Sequence, residues 1–131
     1  MKNYDAKIAS LIWQAQEASS EAKLDSRLRN QFYEIKATKI FEALNLISKS
    51  RNSAFRYSVI AGWDQNGYAC YIVYFSTKVY DEIKGREVRV QVSFHSFNPS
   101  LKRYISHHNI TRWDKKSSAE AAELIASAYG V

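Results

Sequence analysis

The sequence predicts an α+β fold with a helical N-terminal region, a three- or four-stranded antiparallel sheet and a C-terminal helix. Apolar residues recur at helical spacing near both ends of the chain, whereas apolar and polar residues alternate through its middle. The pair Asn66-Gly67 between two β-rich runs is a strong hairpin signal. We expect a single domain over 1–131, with a helical region at 1–48, the sheet at 54–106 and the last helix at 117–129.

The first helix is indicated by one apolar face near the N-terminus. Its members fall at the i, i+4, i+7, i+8 and i+11 spacing and are Tyr4, Ile8, Leu11, Ile12 and Ala15. The region 18–20 either breaks this helix or lies within it.

A second helix is predicted over 20–48, and it has two apolar stripes. One stripe consists of Leu24, Leu28, Phe32 and Ile35, and the other of Tyr33, Ala37, Ile40, Leu44 and Ile47. Such a helix either lies between two layers, buries one face in another subunit, or is two helices joined by a kink. Homo-oligomerisation is therefore an open alternative.

Alternation with a period of two predicts the strands. The first covers 55–61, the return strand after Gly67 covers 68–77, and the latter is apolar on both faces and therefore interior. After the turn at Lys84-Gly85, the next strand places Val88, Val90, Val92 and Phe94 towards the core. Residues 101–105 form a short edge strand or an irregular crossing, and Ser117 with Glu120 has the spacing of a helix capping box.

Composition limits the class of protein. The single cysteine, Cys70, excludes an intrachain disulfide and indicates a reducing compartment. No run approaches the roughly eighteen apolar residues of a membrane span, and charged residues interrupt the N-terminus, so neither a membrane anchor nor a secretory signal is expected. We therefore expect a cytoplasmic protein.

The positive charge is concentrated in the middle of the chain. The net charge is +6, and residues 49–112 contain ten basic and four acidic side chains, which accounts for the whole excess. A local positive field favours nucleic acid, nucleotides or an acidic protein surface as partners. The competing interpretation is a solvated basic face that only keeps the protein soluble.

Two groups of residues are candidates for anion binding. Arg89, Gln91, Ser93 and His95 are predicted to project from the exposed face of one strand, where Arg, Gln and Ser can meet phosphates and neighbouring aromatic rings can stack on bases. The second group precedes the last helix and contains Lys102, Arg103, His107, His108 and Arg112. Ordinary solvent-exposed polar surfaces are the alternative in both cases.

Catalytic and metal motifs are lacking. The sequence contains no phosphate-cradling Gly-rich loop, nucleophile elbow or zinc-ligand spacing, and Cys70 in an apolar strand predicts a buried thiol. No metal or cofactor is expected. A nuclease with His95 as base and an Arg as phosphate clamp is the one enzymatic alternative.

Two resemblances bear on function. The order of helices and strands, ending in Trp113-Asp114-Lys115-Lys116-Ser117-Ser118-Ala119-Glu120-Ala121-Ala122, resembles a double-stranded-RNA-binding domain, in which a Lys-Lys pair at the last helix meets phosphates. In size, charge, single cysteine and layout the chain is also similar to small phage-encoded anti-defence proteins. These include anti-CRISPR proteins and the Thoeris anti-defence sponges that sequester cyclic nucleotide signals. That resemblance implies a stoichiometric inhibitor or a nucleotide trap in the host cytoplasm, often oligomeric, with a host defence protein as a further potential partner.

The sequence thus predicts non-enzymatic binding of an anionic, nucleotide-like ligand. The alternatives are a protein–protein inhibitor that docks through the first two helices and a nucleic-acid-binding module. The residues predicted to contact phosphate or to stack on the ligand are Arg89, Arg103, Arg112, Arg56, Lys84, Gln91, His95, Trp63, Phe97 and Trp113.

Overall fold

The computed structural model of the chain describes residues 3–99 and 110–131. Within them, two helices precede four strands and a third helix follows, which confirms the predicted α+β class. The strands form one antiparallel sheet in the order β3-β2-β1-β4. The elements are α1 (Asp5–Leu24), α2 (Arg29–Lys49), β1 (Arg56–Asp64), β2 (Ala69–Asp81), β3 (Arg86–Phe97), β4 (Ile110–Asp114) and α3 (Ser118–Tyr129).

The segment predicted as one helix over 20–48 is interrupted, as the alternative of two helices joined by a kink proposed. The first continues through residues 18–20 and ends at Leu24, so the predicted start of the second helix at residue 20 is wrong. The break lies at Asp25, whose carboxylate accepts a hydrogen bond from the backbone N–H of Arg27 at 3.0 Å. An Asp that binds the backbone two residues ahead favours a turn over a helix.

The two apolar stripes of the predicted second helix have different environments. The stripe of Tyr33, Ala37, Ile40, Leu44 and Ile47 is buried in the core. The other stripe is largely in solvent, with Leu24 81% exposed and Leu28 and Ile35 also exposed. One stripe therefore packs on the domain and the other is left as an apolar surface.

The first hairpin forms as the Asn-Gly signal predicts. Oδ1 of Asp64 accepts hydrogen bonds from the backbone N–H groups of Asn66 and Tyr68, and Gly67 adopts a φ of 80°. A φ in this range is readily available to glycine. Strand β2 then pairs with both β1 and β3, so the prediction of an interior strand is confirmed.

A β-bulge in β3 overturns the predicted assignment of its faces. Gln91 pairs with Ser76 and Ser93 pairs with Phe75, which leaves Val92 as the extra residue of the bulge. One extra residue reverses the alternation beyond it. Phe94 is therefore exposed on the far side of the sheet, and Val92 is exposed at the bulge, so their predicted core positions are wrong.

The last strand, β4, extends the sheet beyond the predicted limit of 54–106. It pairs with β1 beside Gly62, where a Cβ would collide with the carbonyl oxygen of Arg112 and the side chain of Ile110. Glycine therefore permits the close approach of the two strands.

The final helix begins and ends as the sequence predicts. Ser117 Oγ accepts a hydrogen bond from the backbone N–H of Glu120 at 3.2 Å and lies 3.1 Å from Oε1 of the same residue. Gly130 ends the helix in the left-handed conformation, with φ of 70°. The capping box and the terminal glycine thus set both ends of α3.

All three helices cover one face of the sheet. Side chains of α1, α2 and α3 share a single buried cluster with the inward residues of the strands, among them Val59, Val73 and Phe75. On the opposite side, Cys70, Ile72 and Ile110 form a small buried cluster. We call the side of the sheet turned away from the helices the outer face.

Candidate functional site

Cationic side chains gather on the outer face, at the end where β2 and β3 extend towards their hairpin. Arg89 lies directly opposite Lys78 across the β2–β3 pair. In the next row, Arg56 is opposite Ser76, which pairs in turn with Gln91. Residues directly opposite in a sheet share a face and have Cβ atoms about 5 Å apart, so these side chains form one continuous surface.

The two guanidinium groups of this surface bind neutral acceptors. Arg89 Nη1 donates to the carbonyl oxygen of Ala54 at 3.1 Å and to Oγ of Ser76 at 3.3 Å. Arg56 Nη1 donates to two carbonyl oxygens of the segment just before β1, at 2.8 and 2.7 Å. These bonds fix the positions of the guanidinium groups without forming an ion pair.

In the part of the chain that the structure describes, no carboxylate forms an ion pair with these cations, and Glu87 lies on the same face in the next row, opposite Tyr80. The ion pairs found there are Arg27 with Asp25 and Lys116 with Asp114, and neither involves the outer-face cations. Like charges directly opposite each other in a sheet are destabilising. The pairing of Arg89 with Lys78 therefore has a cost that an anion bound between them would offset.

An aromatic pair lies next to the cations on the same face. The rings of Tyr74 and Phe94 have centroids 6.2 Å apart with a tilt of 37°, and Phe94 is exposed. A shallow depression of about 500 Å³ is lined in part by Arg56, Tyr74 and Gln91. We call Arg56, Lys78, Arg89, Gln91, Tyr74 and Phe94 together the basic–aromatic surface.

Three further predicted residues lie where β1 pairs with β4. The guanidinium of Arg112 is 5.4 Å from the ring centroid of Trp63, and both side chains are on the helix side because Trp63 shares the parity of Ala61 in β1. Trp113 pairs with Gly62 on the outer face and is exposed. The structure therefore places this aromatic group at the opposite end of β1 from Arg56, away from the basic–aromatic surface.

Of the remaining predicted cations, Lys84 is not part of the surface. Lys84 lies in the β2–β3 turn, where its backbone N–H donates to Oδ1 of Asp81 at 3.2 Å. Arg103 falls outside the described residues, as do Lys102, His107, His108 and the edge strand predicted at 101–105. Arg112 is the one member of the second predicted group, before the last helix, that lies among the described residues.

The predicted exposure of His95 and Phe97 is wrong. His95 is 2% exposed and its ring meets that of Phe75 edge-on at 5.8 Å, while Phe97 is fully buried and meets Tyr129 edge-on at 5.6 Å. The bulge at Val92 is the cause, because it turns both side chains towards the helices. Burial lowers the pKa of His95 to about 3, with a smaller contribution from the charge of Lys36.

Sequence reasoning overlooked Lys78 and Tyr74, although a signal for both was present. Counting by two from Ile72 along β2 places Tyr74, Ser76 and Lys78 on one face. Phe94 had no such signal, since its outward position depends on the bulge.

Two other properties of the described residues concern metals and membranes. Between 3–99 and 110–131, no three His, Cys, Asp or Glu side chains lie together as a potential metal site. None of the helices in these ranges is both long enough and apolar enough to cross a bilayer.

No family model, characterised protein or solved structure matches this chain.

Proposed function

We propose that this chain is a non-enzymatic binding protein whose basic–aromatic surface binds an anionic, nucleotide-like ligand. The observation that carries the proposal is the pairing of Arg89 with Lys78 beside Arg56, without a carboxylate partner among the described residues. A phosphate would supply the missing negative charge through charge-assisted hydrogen bonds.

The neighbouring aromatic pair favours a nucleotide over a simple inorganic anion. Stacking of a base on an aromatic ring contributes about 1–3 kcal/mol and needs no particular sequence. Phe94 and Tyr74 lie one row from Arg56 and Gln91, so one ligand can reach both groups. The surface is open and shallow, which suits a nucleotide or a short single strand better than a fully enclosed substrate.

The proposed role is sequestration of the ligand. The likeness to phage anti-defence proteins supports a signalling nucleotide as that ligand, and an intracellular site of action in a host. A nucleic-acid-binding module is the alternative that uses the same surface. A nucleotide trap should prefer the cyclic dinucleotide, and a nucleic-acid-binding module should prefer the oligonucleotide. The affinity of the module should also fall more steeply with salt, because it contacts successive phosphates.

A charge-matched pair of double variants tests the proposal. We expect Lys78→Met/Arg89→Met to weaken binding of a fluorescein-labelled oligothymidylate and of a labelled cyclic dinucleotide by more than tenfold, measured by fluorescence anisotropy. The control, Lys7→Met/Lys49→Met, removes two exposed charges from the helices and should change affinity less than twofold. For the single strand, the slope of log affinity against log salt should fall by roughly 1.4 in the first variant, because two contacts are lost. Equal effects of the two variants would show that net charge alone governs binding.

Native mass spectrometry of the purified protein provides an independent test. A trap should retain a small anion, and heat denaturation should release that anion intact. A nuclease would instead yield cleaved product, and changing His95 to Ala would abolish the cleavage. A protein that retains no anion and binds neither probe contradicts the proposal.

One observation favours a second candidate, the protein–protein inhibitor. The stripe of Leu24, Leu28 and Ile35 is exposed at the junction of α1 and α2. Apolar surface of this kind marks contact sites when it is contiguous. Leu24→Asp/Ile35→Asp should abolish such an interaction, or a homo-oligomer formed through the same stripe, and leave nucleotide binding intact.

A further inference from the structure

A cleft between the helices and the free edge of β3 forms a second candidate site, which borders the outer face at Gln91 and Phe94. Its cavity has a volume of about 370 Å³ and is lined by side chains of α1, by Lys36 of α2 and by residues 91–96 of β3. Volumes in this range are typical of small-molecule sites. We call this cavity the lysine cleft.

Lys36 lies at the buried end of the cleft. Its side chain is 1% exposed, and Nζ donates a hydrogen bond to the carbonyl oxygen of Ser96 at 2.6 Å. The amine also lies 4.4 Å from the ring centroid of Phe97 and 5.5 Å from that of Tyr33. Among the residues that the structure describes, Lys36 has no carboxylate at ion-pair distance.

A buried amine without a counter-ion is costly to the fold. Burial lowers the pKa of Lys36 to about 7, and the charge of Lys23 lowers it further. The ring faces and one carbonyl stabilise the ammonium ion only in part. Strong perturbation of a group that lines a cavity is more frequent at functional sites than elsewhere.

His95 lines the same cavity and has unused hydrogen-bonding capacity. Its Nδ1 is buried without a hydrogen-bond partner, while Nε2 lies 3.2 Å from Oγ of Ser93. Because burial keeps the ring neutral, a proton on Nδ1 can be donated to an anion in the cleft. An unsatisfied buried nitrogen destabilises the fold, and such a bond would satisfy it.

The cleft continues into an apolar compartment. A neighbouring cavity of about 340 Å³ shares Gln16, Val92 and Ser93 with the lysine cleft and is lined further by Ile12 and Trp13. Trp13 is 64% exposed, so the face of its ring is accessible to an apolar group of a ligand. One elongated molecule can therefore place a polar group at Lys36 and an apolar group at Trp13.

We propose that the lysine cleft binds a small monocarboxylate with an aromatic or alkyl group, its carboxylate at Lys36 and its apolar part beside Trp13. Lys36 supplies a positive charge at the buried end, and Lys23 of α1 lines the same cleft. The apolar compartment beside Trp13 gives such an acid a contact that inorganic phosphate lacks. This ligand is distinct from the nucleotide proposed for the outer face.

Isothermal titration calorimetry with phenylacetate and octanoate tests the site directly. We expect both acids to bind the wild-type protein, whereas the neutral analogue phenylacetamide and inorganic phosphate should bind at least tenfold more weakly. Lys36→Met should reduce the affinity for either acid more than tenfold. The control Lys49→Met, which changes an exposed lysine of the same helix, should leave the affinity unchanged.

Proton linkage provides a second readout that a purely structural lysine would not give. The titratable groups that face the amine are Lys23 of α1, Tyr33 of α2 and His95 of β3. Since the bound carboxylate favours the ammonium form, affinity should fall about tenfold per pH unit above pH 7. At pH 8 the binding enthalpy should differ between Tris and HEPES, because protons are taken up.

Two further variants distinguish the lysine cleft from a binding site elsewhere on the protein. Trp13→Ala changes an exposed residue, so the protein should fold normally and bind both acids several-fold more weakly. Lys78→Met/Arg89→Met should leave acid binding unchanged, whatever its effect on nucleotides. Absence of acid binding at millimolar concentration, unchanged affinity in Lys36→Met, or unchanged affinity in Trp13→Ala would each overturn the proposal.

Discussion

Replacing Lys36 by Met should make the unliganded protein more stable at neutral and acidic pH. The wild-type amine has a pKa of about 7 in the folded protein, against 10.5 in an exposed lysine. Between these values the unfolded chain binds more protons than the folded protein. The contribution of Lys36 to wild-type stability therefore rises with pH from about 7 to 10.5 and is lowest below 7. That pKa difference corresponds to about 5 kcal/mol.

The variant removes this cost and also removes one hydrogen bond. Met has similar length and no charge, but the carbonyl of Ser96 loses its donor, which costs about 1 kcal/mol. The variant should therefore be about 4 kcal/mol more stable at pH 6. Its advantage should shrink as pH rises and reverse by about 1 kcal/mol near pH 10.5.

Urea unfolding, followed by tryptophan fluorescence at pH 6, 8 and 10, measures this difference. Titration of groups that do not interact with Lys36 affects both proteins and cancels, whereas the pKa of His95 is itself lowered by the charge of Lys36. Lys49→Met is the control, because an exposed lysine should give a small difference that does not depend on pH. The burial argument would be refuted if the difference in unfolding free energy between wild type and Lys36→Met were the same at all three pH values. It would also be refuted if the variant were less stable than the wild type at pH 6.

Three further variants test individual parts of the fold. Burial lowers the pKa of His95 to about 3, so the free energy of unfolding should fall as pH drops below 6.5, by about 3 kcal/mol at pH 4.5. His95→Phe should remove that part of the loss. If thermal melts showed the same dependence on acid pH in the variant and the wild type, the burial of His95 would not be its cause. Gly62→Ala should cost about 1–3 kcal/mol in urea unfolding, since its Cβ would collide with β4, whereas the exposed Ser58→Ala on the same strand should be nearly neutral. Ser117→Ala should cost about 1 kcal/mol through loss of the helix cap, and a neutral result would mean that α3 begins elsewhere.

Short-range chemistry accounts for the parts of the fold that were predictable. The turn at Asn66-Gly67, the capping box at Ser117 and the terminal Gly130 each depend on residues within a few positions of one another. The apolar period identified α1 and the buried stripe of α2 in the same way. None of these features requires knowledge of a distant partner.

The faces of β3 could not be predicted, because they depend on how another strand pairs with it. No local pattern marks Val92 as an extra residue, and the alternation of valines before it suggests an undisturbed strand. That one residue decides that His95 lies against Phe75 and that Phe94 lies in solvent. Of the row predicted to meet a nucleotide, only Arg89 and Gln91 lie on the predicted face.

Lys36 illustrates the same limit in a helix. It lies three residues after Tyr33 and four before Ile40, so the helical period places it in the buried stripe. A lysine at such a position is usually able to extend its amine to water. Only the packing of β3 and of Phe97 over that side chain encloses the amine.

The sequence by itself determined the class of fold, the sign of the charge and its concentration in 49–112, because these follow from composition and local periodicity. The tertiary structure decided which charges meet. It set Arg89 against Lys78, separated both from Arg112, and enclosed Lys36 beside His95. The physical reason is that strand register and helix packing are set by contacts between residues far apart in the chain, and the interaction of charges depends on those distances.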